Sequence, residues 1–255
     1  MFTCKHALVQ PRSSEIHAKK KMQYKNLFSL FLLCCLCFVL IRALWQARRK
    51  SRLLKSYVQL VKSKYPELPA TGEVSERAAV LEHIRPHDVV LEIGANIGGV
   101  SSLLASVLES PRTLVSVDPL AANCQYLTEL GKSIEKPFHV FHGVVKGPIG
   151  IECLGENKVG AYCKCEPSDS PTTENLTILD IEDRYKLNFT ALVIDCEGCY
   201  ESLMPQILNV SSLKQIQIEW DGTFMEKDIL NAGYSLIATY YHQYLKNGVR
   251  VYKRE

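Results

Sequence analysis

The stretch V-V-L-E-I-G-A-N-I-G-G-V-S-S-L-L-A-S-V-L, residues 89–108, decides the fold. It begins with an apolar run at 89–91 that continues at Ile93, which is typical of a parallel strand covered on both faces. Its last part places five apolar residues at helical spacing: Val100, Leu103, Leu104, Val107 and Leu108. Between strand and helix, residues 94–99 form a turn of small residues that lets the backbone approach a ligand and points N–H groups at it. We therefore predict a small-molecule site at the carboxyl end of a first strand.

The residues of this turn favour one class of ligand over another. A dinucleotide fingerprint needs glycine at the first, third and sixth positions, because the second glycine lets the pyrophosphate come close. Here the third position is Asn96, whose side chain would intrude. The pattern Glu92-x-Gly94-x-x-x-Gly98 instead resembles motif I of the class I methyltransferases that use S-adenosylmethionine. That ligand carries a cationic sulfonium and an amino group and no phosphate, so an acidic residue beside the turn suits it.

The next two predicted strands also end in polar residues. Residues 114–117 form a strand that ends at Asp118, about 20 residues past the glycine turn, where a carboxylate can accept from both ribose hydroxyls of an adenosyl ligand. A helix over 120–130 follows, and we expect Gly131 to end it. The third strand ends at His142, a candidate to flank the adenine.

Carboxylates follow the fourth and fifth strands. Residues 191–194 run into Asp195 and Glu197, and the strand at 216–220 exposes Glu219 near its end. An open α/β sheet places its chemistry at the carboxyl ends of its strands, so these acids are candidate catalytic residues. The alternative is structural, with the aspartate capping a helix and the glutamate solvated.

The alternation of strands and helices predicts a doubly wound, mostly parallel sheet. Two final strands, 234–239 and 249–253, predict an antiparallel hairpin at the C-terminal end. Residues 147–172 contain glycines, prolines and short β-like runs, which indicate a hairpin or loop over the site. The domain is expected to span 75–255.

The N-terminal third has a different character. A polar, basic tail at 1–25 precedes an uncharged apolar segment that Arg42 interrupts, and this segment predicts a single transmembrane helix at 26–45. A basic stalk follows at 46–74. A cleaved signal peptide is the alternative, but no small-x-small cleavage site follows the apolar run and the basic tail is long for one.

The sequence gives three indications of where the domain resides. Basic residues flank the apolar segment on both sides in similar number, so the positive-inside rule favours neither orientation. Three N-x-S/T sequons, at Asn175, Asn188 and Asn209, favour a lumenal domain. The short span suits the thinner early-secretory membrane, so the endoplasmic reticulum or Golgi is the expected location, as a single-pass membrane protein.

Composition and cysteine usage limit the partners. The chain has 255 residues, a hydrophobic fraction of 47% and a net charge of +3, with much of the basic excess before residue 65. We therefore expect no nucleic-acid partner. The ten cysteines do not form one framework: Cys153, Cys163 and Cys165 cluster, while Cys196 and Cys199 share a C-E-G-C turn. No C-x-x-C pair recurs with zinc spacing, so no metal site is predicted.

Four blocks together resemble the FkbM family of S-adenosylmethionine-dependent methyltransferases. They are V-L-E-I-G-A-N-I-G at 90–98, V-D-P at 117–119, N-L-T-I-L-D at 175–180 and L-V-I-D-C-E-G-C-Y-E-S-L-M at 192–204. The last block is similar to the family's I-D-V-E-G-x-E-x-x-x-L signature, which Glu201 matches only with a one-residue offset. The resemblance covers about residues 86–220.

This resemblance implies O-methylation of a hydroxyl, often on a sugar or polyketide, with S-adenosylmethionine as the cofactor. The candidate cofactor-binding residues are Glu92, Gly94, Asn96, Gly98, Asp118 and His142. Asp195 and Glu197 are candidates for the base, and Glu219 is a third candidate that would bind the acceptor. Two other classes are considered, a binding module that has lost catalysis and a nicotinamide oxidoreductase, which the asparagine of the turn disfavours.

The apolar segment generates a first prediction. The full-length protein should stay in the membrane fraction after carbonate extraction, because the helix predicted at 26–45, which is uncharged over 26–41, would be held by the hydrocarbon core. Deletion of residues 1–46 should release a soluble domain that still binds the cofactor. Immunoblots of the two fractions give the measurement, and recovery of the full-length chain in the soluble fraction would contradict the anchor.

Overall fold

The computed structural model describes residues 36–38, 73–196, 199–220, 226–241 and 248–255. The helices of the domain are α1 (Val74–His83), α2 (Gly99–Val107), α3 (Ala121–Ser133), α4 (Ile178–Tyr185), α5 (Tyr200–Ile207) and α6 (Glu226–Asn231). The strands are β1 (Val90–Ile93), β2 (Leu114–Asp118), β3 (His139–His142), β4 (Val144–Val145), β5 (Ile151–Gly155), β6 (Cys163–Pro167), β7 (Asn175–Leu176), β8 (Ala191–Ile194), β9 (Gln215–Trp220), β10 (Ser235–Tyr241) and β11 (Gly248–Lys253).

Seven strands form one sheet in the order β10-β11-β9-β8-β1-β2-β3. The five strands β1, β2, β3, β8 and β9 pair in parallel, which confirms the predicted doubly wound, mostly parallel sheet. The chain first builds outward from β1 to β3, then returns to the other side of β1 and builds β8 and β9. This reversal between β1 and β8 is the switch point where open α/β sheets hold their ligands.

The C-terminal hairpin is antiparallel, as predicted, but its last strand is not at the edge. β11 lies between β9 and β10 and runs antiparallel to both. Burial explains the order. Val249 and Val251 of β11 are at most 2% exposed, as an inner strand requires, whereas Leu236 and Ile237 of β10 are largely exposed.

The central strands are apolar because helices cover both faces of the sheet. Every residue of β1, β2 and β8 is buried. One face packs against α4 and α5 through residues such as Ile181 and Leu203. This arrangement accounts for the continuous apolar runs that predicted these strands.

One expected helix end was wrong. α3 continues through Gly131 to Ser133, and Glu135 adopts the left-handed conformation just after the helix. A Cβ atom at Gly131 would lie 3.3 Å from a ring carbon of Phe138. The glycine therefore allows close packing against the residue before β3 and does not stop the helix.

The predicted membrane segment falls mostly outside the described residues. Of residues 26–45, only the helical, exposed residues 36–38 are described. Within the part of the chain that the structure describes, no helix has both the length and the apolar character needed to cross a membrane. The anchor thus stays a prediction.

A buried carboxylate ties β1, β2 and α2 together. Glu92 is 3% exposed, and its Oε2 accepts hydrogen bonds from the Ser101 hydroxyl at 2.6 Å and the Ser116 hydroxyl at 2.5 Å. Burial raises the pKa of Glu92 to about 8, the two serine hydrogen bonds oppose this rise, and the negative charges of Glu73 and Asp195 add to it. The carboxyl group is therefore mostly protonated in the folded protein at neutral pH.

This raised pKa predicts a specific dependence of stability on pH. The unfolded chain ionises Glu92 near its ordinary pKa of 4.5, whereas the folded chain does so near 8. Glu92 therefore makes its full contribution to the free energy of unfolding below pH 4.5. That contribution falls as the pH rises from 4.5 through 8, and the fall is on the order of 3 kcal/mol by pH 7. The glutamine side chain in Glu92→Gln cannot ionise, so the free energy of unfolding of this variant should decrease less between pH 5 and pH 8.

Urea unfolding of the purified wild type and Glu92→Gln at pH 5, 6, 7 and 8 measures the effect. Glu129→Gln, which changes an exposed carboxylate of α3, is the matched control. Its free energy of unfolding should depend on pH with the same slope as that of the wild type. Equal slopes for wild type and Glu92→Gln would contradict the protonated state of the buried acid.

Candidate active site

A cavity of about 650 Å³ opens at the carboxyl ends of β1, β2 and β8. Gly94 and Asn96 from the turn after β1, Asp118 from the end of β2 and Asp195 from the end of β8 all line it. Three neighbouring strands thus contribute polar groups to one space.

Apolar side chains form another wall of the same cavity. Leu120 follows β2, and Val144 and Val145 form the short strand β4. All three side chains are at least nine-tenths buried. A flat apolar group such as a purine can pack there while its polar end reaches the strand ends.

The two glycines of the motif have different roles. Gly94 has a φ of +89°, and a Cβ atom there would collide with the backbone carbonyl of Asp195. Gly98 has a φ of +78° and begins α2, where a Cβ atom would collide with side chains of α3. Gly94 therefore brings the ends of β1 and β8 together beside the cavity. Gly98 instead allows α2 to pack, and it is not among the residues that line the cavity.

Asn96 offers an acceptor to a ligand. It adopts the left-handed conformation, with a φ of 46°, which asparagine tolerates better than most residues. Its backbone N–H donates to Asp118 Oδ2 at 2.9 Å. Within the described residues, its buried Oδ1 has no hydrogen-bond partner. The side chain that we expect to disfavour a dinucleotide pyrophosphate is thus able to accept from another ligand.

Asp118 is held by its neighbours and keeps some capacity to accept. Its Oδ1 accepts from the Leu120 backbone N–H at 2.9 Å and from Asn123 Nδ2 at 3.1 Å. Burial raises the pKa of Asp118, and these hydrogen bonds oppose the rise. A carboxylate has about four acceptor positions, of which these bonds and the one from Asn96 use three. The remaining position on Oδ2 is available to a hydroxyl.

A second group of acids lies behind the glycine turn. Asp195 also lines a smaller cavity of about 270 Å³, together with Glu73 and Glu76 at the start of α1 and the buried Glu92. Burial raises the pKa of Glu76 to about 8, and the nearby charges of Asp195 and Glu73 also raise it. The buried Arg77, whose guanidinium lies 3.4 Å from Glu73, supplies a positive charge to this group of acids and opposes the rise. Sequence reasoning missed Glu73 and Glu76, since only the packing of α1 beside α2 brings them to the turn.

The remaining predicted site residues lie in several places. His142 is exposed, and its Nε2 lies 3.1 Å from the Pro119 carbonyl oxygen instead of lining the cavity. Glu219 is half-buried, and the pairing of Ile194 with Ile218 places it level with Asp195 on the next strand. It lines neither of the two cavities. Glu197 falls outside the described residues.

A cysteine-containing hairpin covers the site, as expected for residues 147–172. β5 and β6 pair antiparallel, and the opposed residues Cys153 and Cys165 form a disulfide. The three sulfur atoms of Cys153, Cys163 and Cys165 lie within 4.8 Å of one another, a donor set that a soft metal ion favours. Because the disulfide uses two of these sulfurs, they are not available as thiolates.

A second disulfide closes the turn after β8. It joins Cys196 to Cys199, and both residues line the larger cavity. This bond fixes the spacing between the end of β8 and the start of α5, and so it constrains the segment that follows Asp195. Sequence reasoning noted both groups of cysteines but not their pairing, because pairing across the hairpin depends on strand register.

No family model matches the chain, and no curated protein matches it. Solved methyltransferase structures are similar in fold. The TrmK of M. capricolum, in complex with S-adenosylhomocysteine, is 7% identical, with a TM-score of 0.48 over 70% of this chain and 67% of that one. Magnesium protoporphyrin IX methyltransferase from Synechocystis PCC 6803, with bound S-adenosylmethionine, is 11% identical, with a TM-score of 0.43 over 71% of this chain and 76% of that one. An rRNA methylase from Streptococcus thermophilus is 9% identical, with a TM-score of 0.43 over 70% of this chain and 93% of that one. At these values the likeness concerns the fold alone.

Proposed function

We propose that this protein is an S-adenosylmethionine-dependent O-methyltransferase of the FkbM type, acting on a hydroxyl group of a sugar, a glycan or a related small molecule. One observation carries the proposal. Asn96, Asp118 and Asp195, from the ends of three adjacent strands, meet in a single cavity beside an acid-led glycine turn.

The residues of the site fit this cofactor. Asp118 Oδ2 has an acceptor position for a ribose hydroxyl, and the apolar wall of Leu120 and Val144 suits an adenine ring. The acids behind the turn, among them Glu76 and Asp195, suit the cationic sulfonium and amino groups. A nicotinamide dinucleotide would instead bring a pyrophosphate against Asn96 and toward these acids, which disfavours that alternative.

The chemistry then divides between the cofactor and the protein. When bound, the cofactor supplies an electrophilic methyl group on its sulfonium. The protein aligns the acceptor hydroxyl with that group and removes its proton, two effects that both lower the barrier. Asp195 lies at the end of β8 and lines the cavity, so we assign it the role of base. Glu219, level with it on β9, is the residue that we propose to bind the acceptor.

A catalytically inactive binding module of the same fold is the second candidate. Titration calorimetry with S-adenosylhomocysteine and with NAD, followed by an assay of methyl incorporation, separates the classes. Binding of the former with turnover supports the enzyme, binding without turnover supports the module, and binding of NAD supports an oxidoreductase. Mass spectrometry of glycans and lipids from cells that lack the protein identifies the acceptor.

We further propose that the domain faces the lumen of the endoplasmic reticulum or Golgi, anchored by residues 26–45. The two disulfides, Cys153–Cys165 and Cys196–Cys199, support this placement, since disulfides persist mainly in oxidising compartments. The three sequons support it independently. For a domain placed there, glycans and small hydroxylated molecules are more accessible acceptors than nucleic acid.

The assignment of the ribose site predicts the effect of one substitution. Asp118→Ala removes a charge-assisted contact and should weaken S-adenosylhomocysteine binding by about 1.5–3 kcal/mol, or roughly 10- to 150-fold in Kd. Calorimetry measures the change, and thermal unfolding of the same sample checks the fold. Asp183→Ala, which alters an exposed carboxylate of α4, is the control and should bind normally. Normal binding by a folded Asp118→Ala protein would show that the ribose site lies elsewhere.

The assignment of the base predicts a different pattern. Asp195→Asn keeps the size of the side chain but cannot accept the proton, so turnover should fall by about 10²–10⁴-fold while cofactor affinity changes far less. Single-turnover methyl transfer and cofactor titration on the same variant measure both quantities. Glu197→Gln and Glu219→Gln are compared in parallel. Full activity of Asp195→Asn and Glu197→Gln would remove both acids from the mechanism and leave Glu219 as the candidate.

A further inference from the structure

The three sequons occupy different environments in the folded domain. Asn175 is half-buried and forms the short strand β7, whereas Asn188 and Asn209 are exposed in loops. A glycan is large and hydrophilic, so it requires an asparagine side chain that reaches solvent. The fold therefore distinguishes among three sites that look equivalent in the sequence.

The amide group of Asn175 is fully used inside the protein. Its Nδ2 donates to the Ile151 and Thr173 carbonyl oxygens, both at 2.9 Å, and its Oδ1 accepts from the Ile151 backbone N–H at 2.7 Å. A glycosylated amide nitrogen keeps only one hydrogen. A glycan on Asn175 would therefore break one of the two donated bonds and displace the start of β5.

Thr177, the hydroxyl residue of this sequon, is also part of the structure. Its hydroxyl accepts from the Asp180 backbone N–H at 3.1 Å, and the Asp180 carboxylate accepts from the Thr177 backbone N–H at 2.9 Å. This reciprocal capping box begins α4. The whole sequon is thus built into the joint between β7 and α4.

Asn209 can carry a glycan without loss of its own contact. Its Nδ2 donates one hydrogen bond, to the Pro205 carbonyl oxygen at 2.7 Å, so the second hydrogen can be replaced. Ser211, which completes this sequon, is exposed. Asn188 lies between α4 and β8, and its side chain is exposed although Phe189 beside it is fully buried. The hydroxyl of Thr190, which completes this sequon, accepts from the Val89 backbone N–H at 3.0 Å, so the exposure of the asparagine side chain is what distinguishes this sequon from the one at Asn175.

Both exposed sequons lie at the edge of the sheet opposite the cavity. Asn188 comes three residues before β8 begins at Ala191, and Asn209 comes six residues before β9 begins at Gln215. The cavity lies at the other, carboxyl ends of the strands. Glycans at these two positions would leave the opening of the site clear.

We propose that the domain carries N-linked glycans at Asn188 and Asn209 and none at Asn175, an inference that rests on the lumenal placement proposed above. In each transfer, Nδ2 forms a bond to the anomeric carbon of a lipid-linked oligosaccharide. The bond from that carbon to the lipid diphosphate breaks, the diphosphate leaves with the electron pair, and Nδ2 loses one hydrogen as a proton. The glycans shield the edge of the domain that is remote from the reaction.

The test uses the full-length chain expressed in animal cells. Treatment with a peptide N-glycosidase should increase gel mobility, and mass spectrometry should detect the aspartate that the glycosidase leaves at positions 188 and 209. Asn188→Gln and Asn209→Gln should each remove one step of the mobility shift, and the double variant should remove it entirely. Asn175→Gln should leave the shift unchanged.

A matched pair of substitutions at Ser211 separates the modification from the fold. Ser211→Ala destroys the sequon but leaves the bond from Asn209 to Pro205, and it should remove one step. Ser211→Thr preserves the sequon and should keep it. A glycan at Asn175, or unmodified residues at 188 and 209 in wild type, would overturn the proposal. Titration with S-adenosylhomocysteine on the same samples tests the proposed enzyme separately, and it should be unaffected by Asn188→Gln and Asn209→Gln.

Discussion

The site depends on one close backbone contact, between Gly94 at the end of β1 and the carbonyl of Asp195 at the end of β8. A side chain at Gly94 would collide with that carbonyl, so the two strand ends can approach only because this residue is glycine. The contact falls where the strand order reverses, with β2 on one side of β1 and β8 on the other. The turn that follows Gly94 and the acid that follows β8 therefore share one cavity. The proposed cofactor site and the proposed base therefore meet at the contact between Gly94 and Asp195.

Sequence reasoning was most successful where local pattern and sheet topology carry the same information. The apolar runs located the parallel strands, and the spacing from the glycine turn located Asp118, because the end of β2 must lie beside the end of β1. It was less successful for side chains whose environment depends on distant packing. Glu92 was expected beside the ligand, and the sequence did not indicate that two buried serines donate hydrogen bonds to it. Gly131 was expected to end a helix but packs against Phe138.

Long-range packing also explains what the sequence did not indicate. Glu73 and Glu76 precede β1 by more than a dozen residues, and nothing in their local pattern marks them as site residues. They reach the glycine turn because α1 packs beside α2. There they join Asp195 and Glu92 around one small cavity, and burial, together with the nearby charges of Asp195 and Glu73, raises the pKa of Glu76. The buried guanidinium of Arg77, 3.4 Å from Glu73, opposes part of this rise.

The hairpin over the site is connected to the predicted ribose carboxylate through one amide. Asn123 Nδ2 donates to Asp118 Oδ1 at 3.1 Å and lies 3.4 Å from the Ala161 carbonyl oxygen, while Asn123 Oδ1 accepts from the Gly160 backbone N–H at 2.9 Å. The loop between β5 and β6 is thus attached to the residue that would hold the ribose. The Cys153–Cys165 disulfide joins the two strands of that hairpin. If Asp118 holds the ribose as proposed, the ligand would lie beneath a cover that is hydrogen-bonded to the same carboxylate, and such a cover favours the exclusion of water from the site.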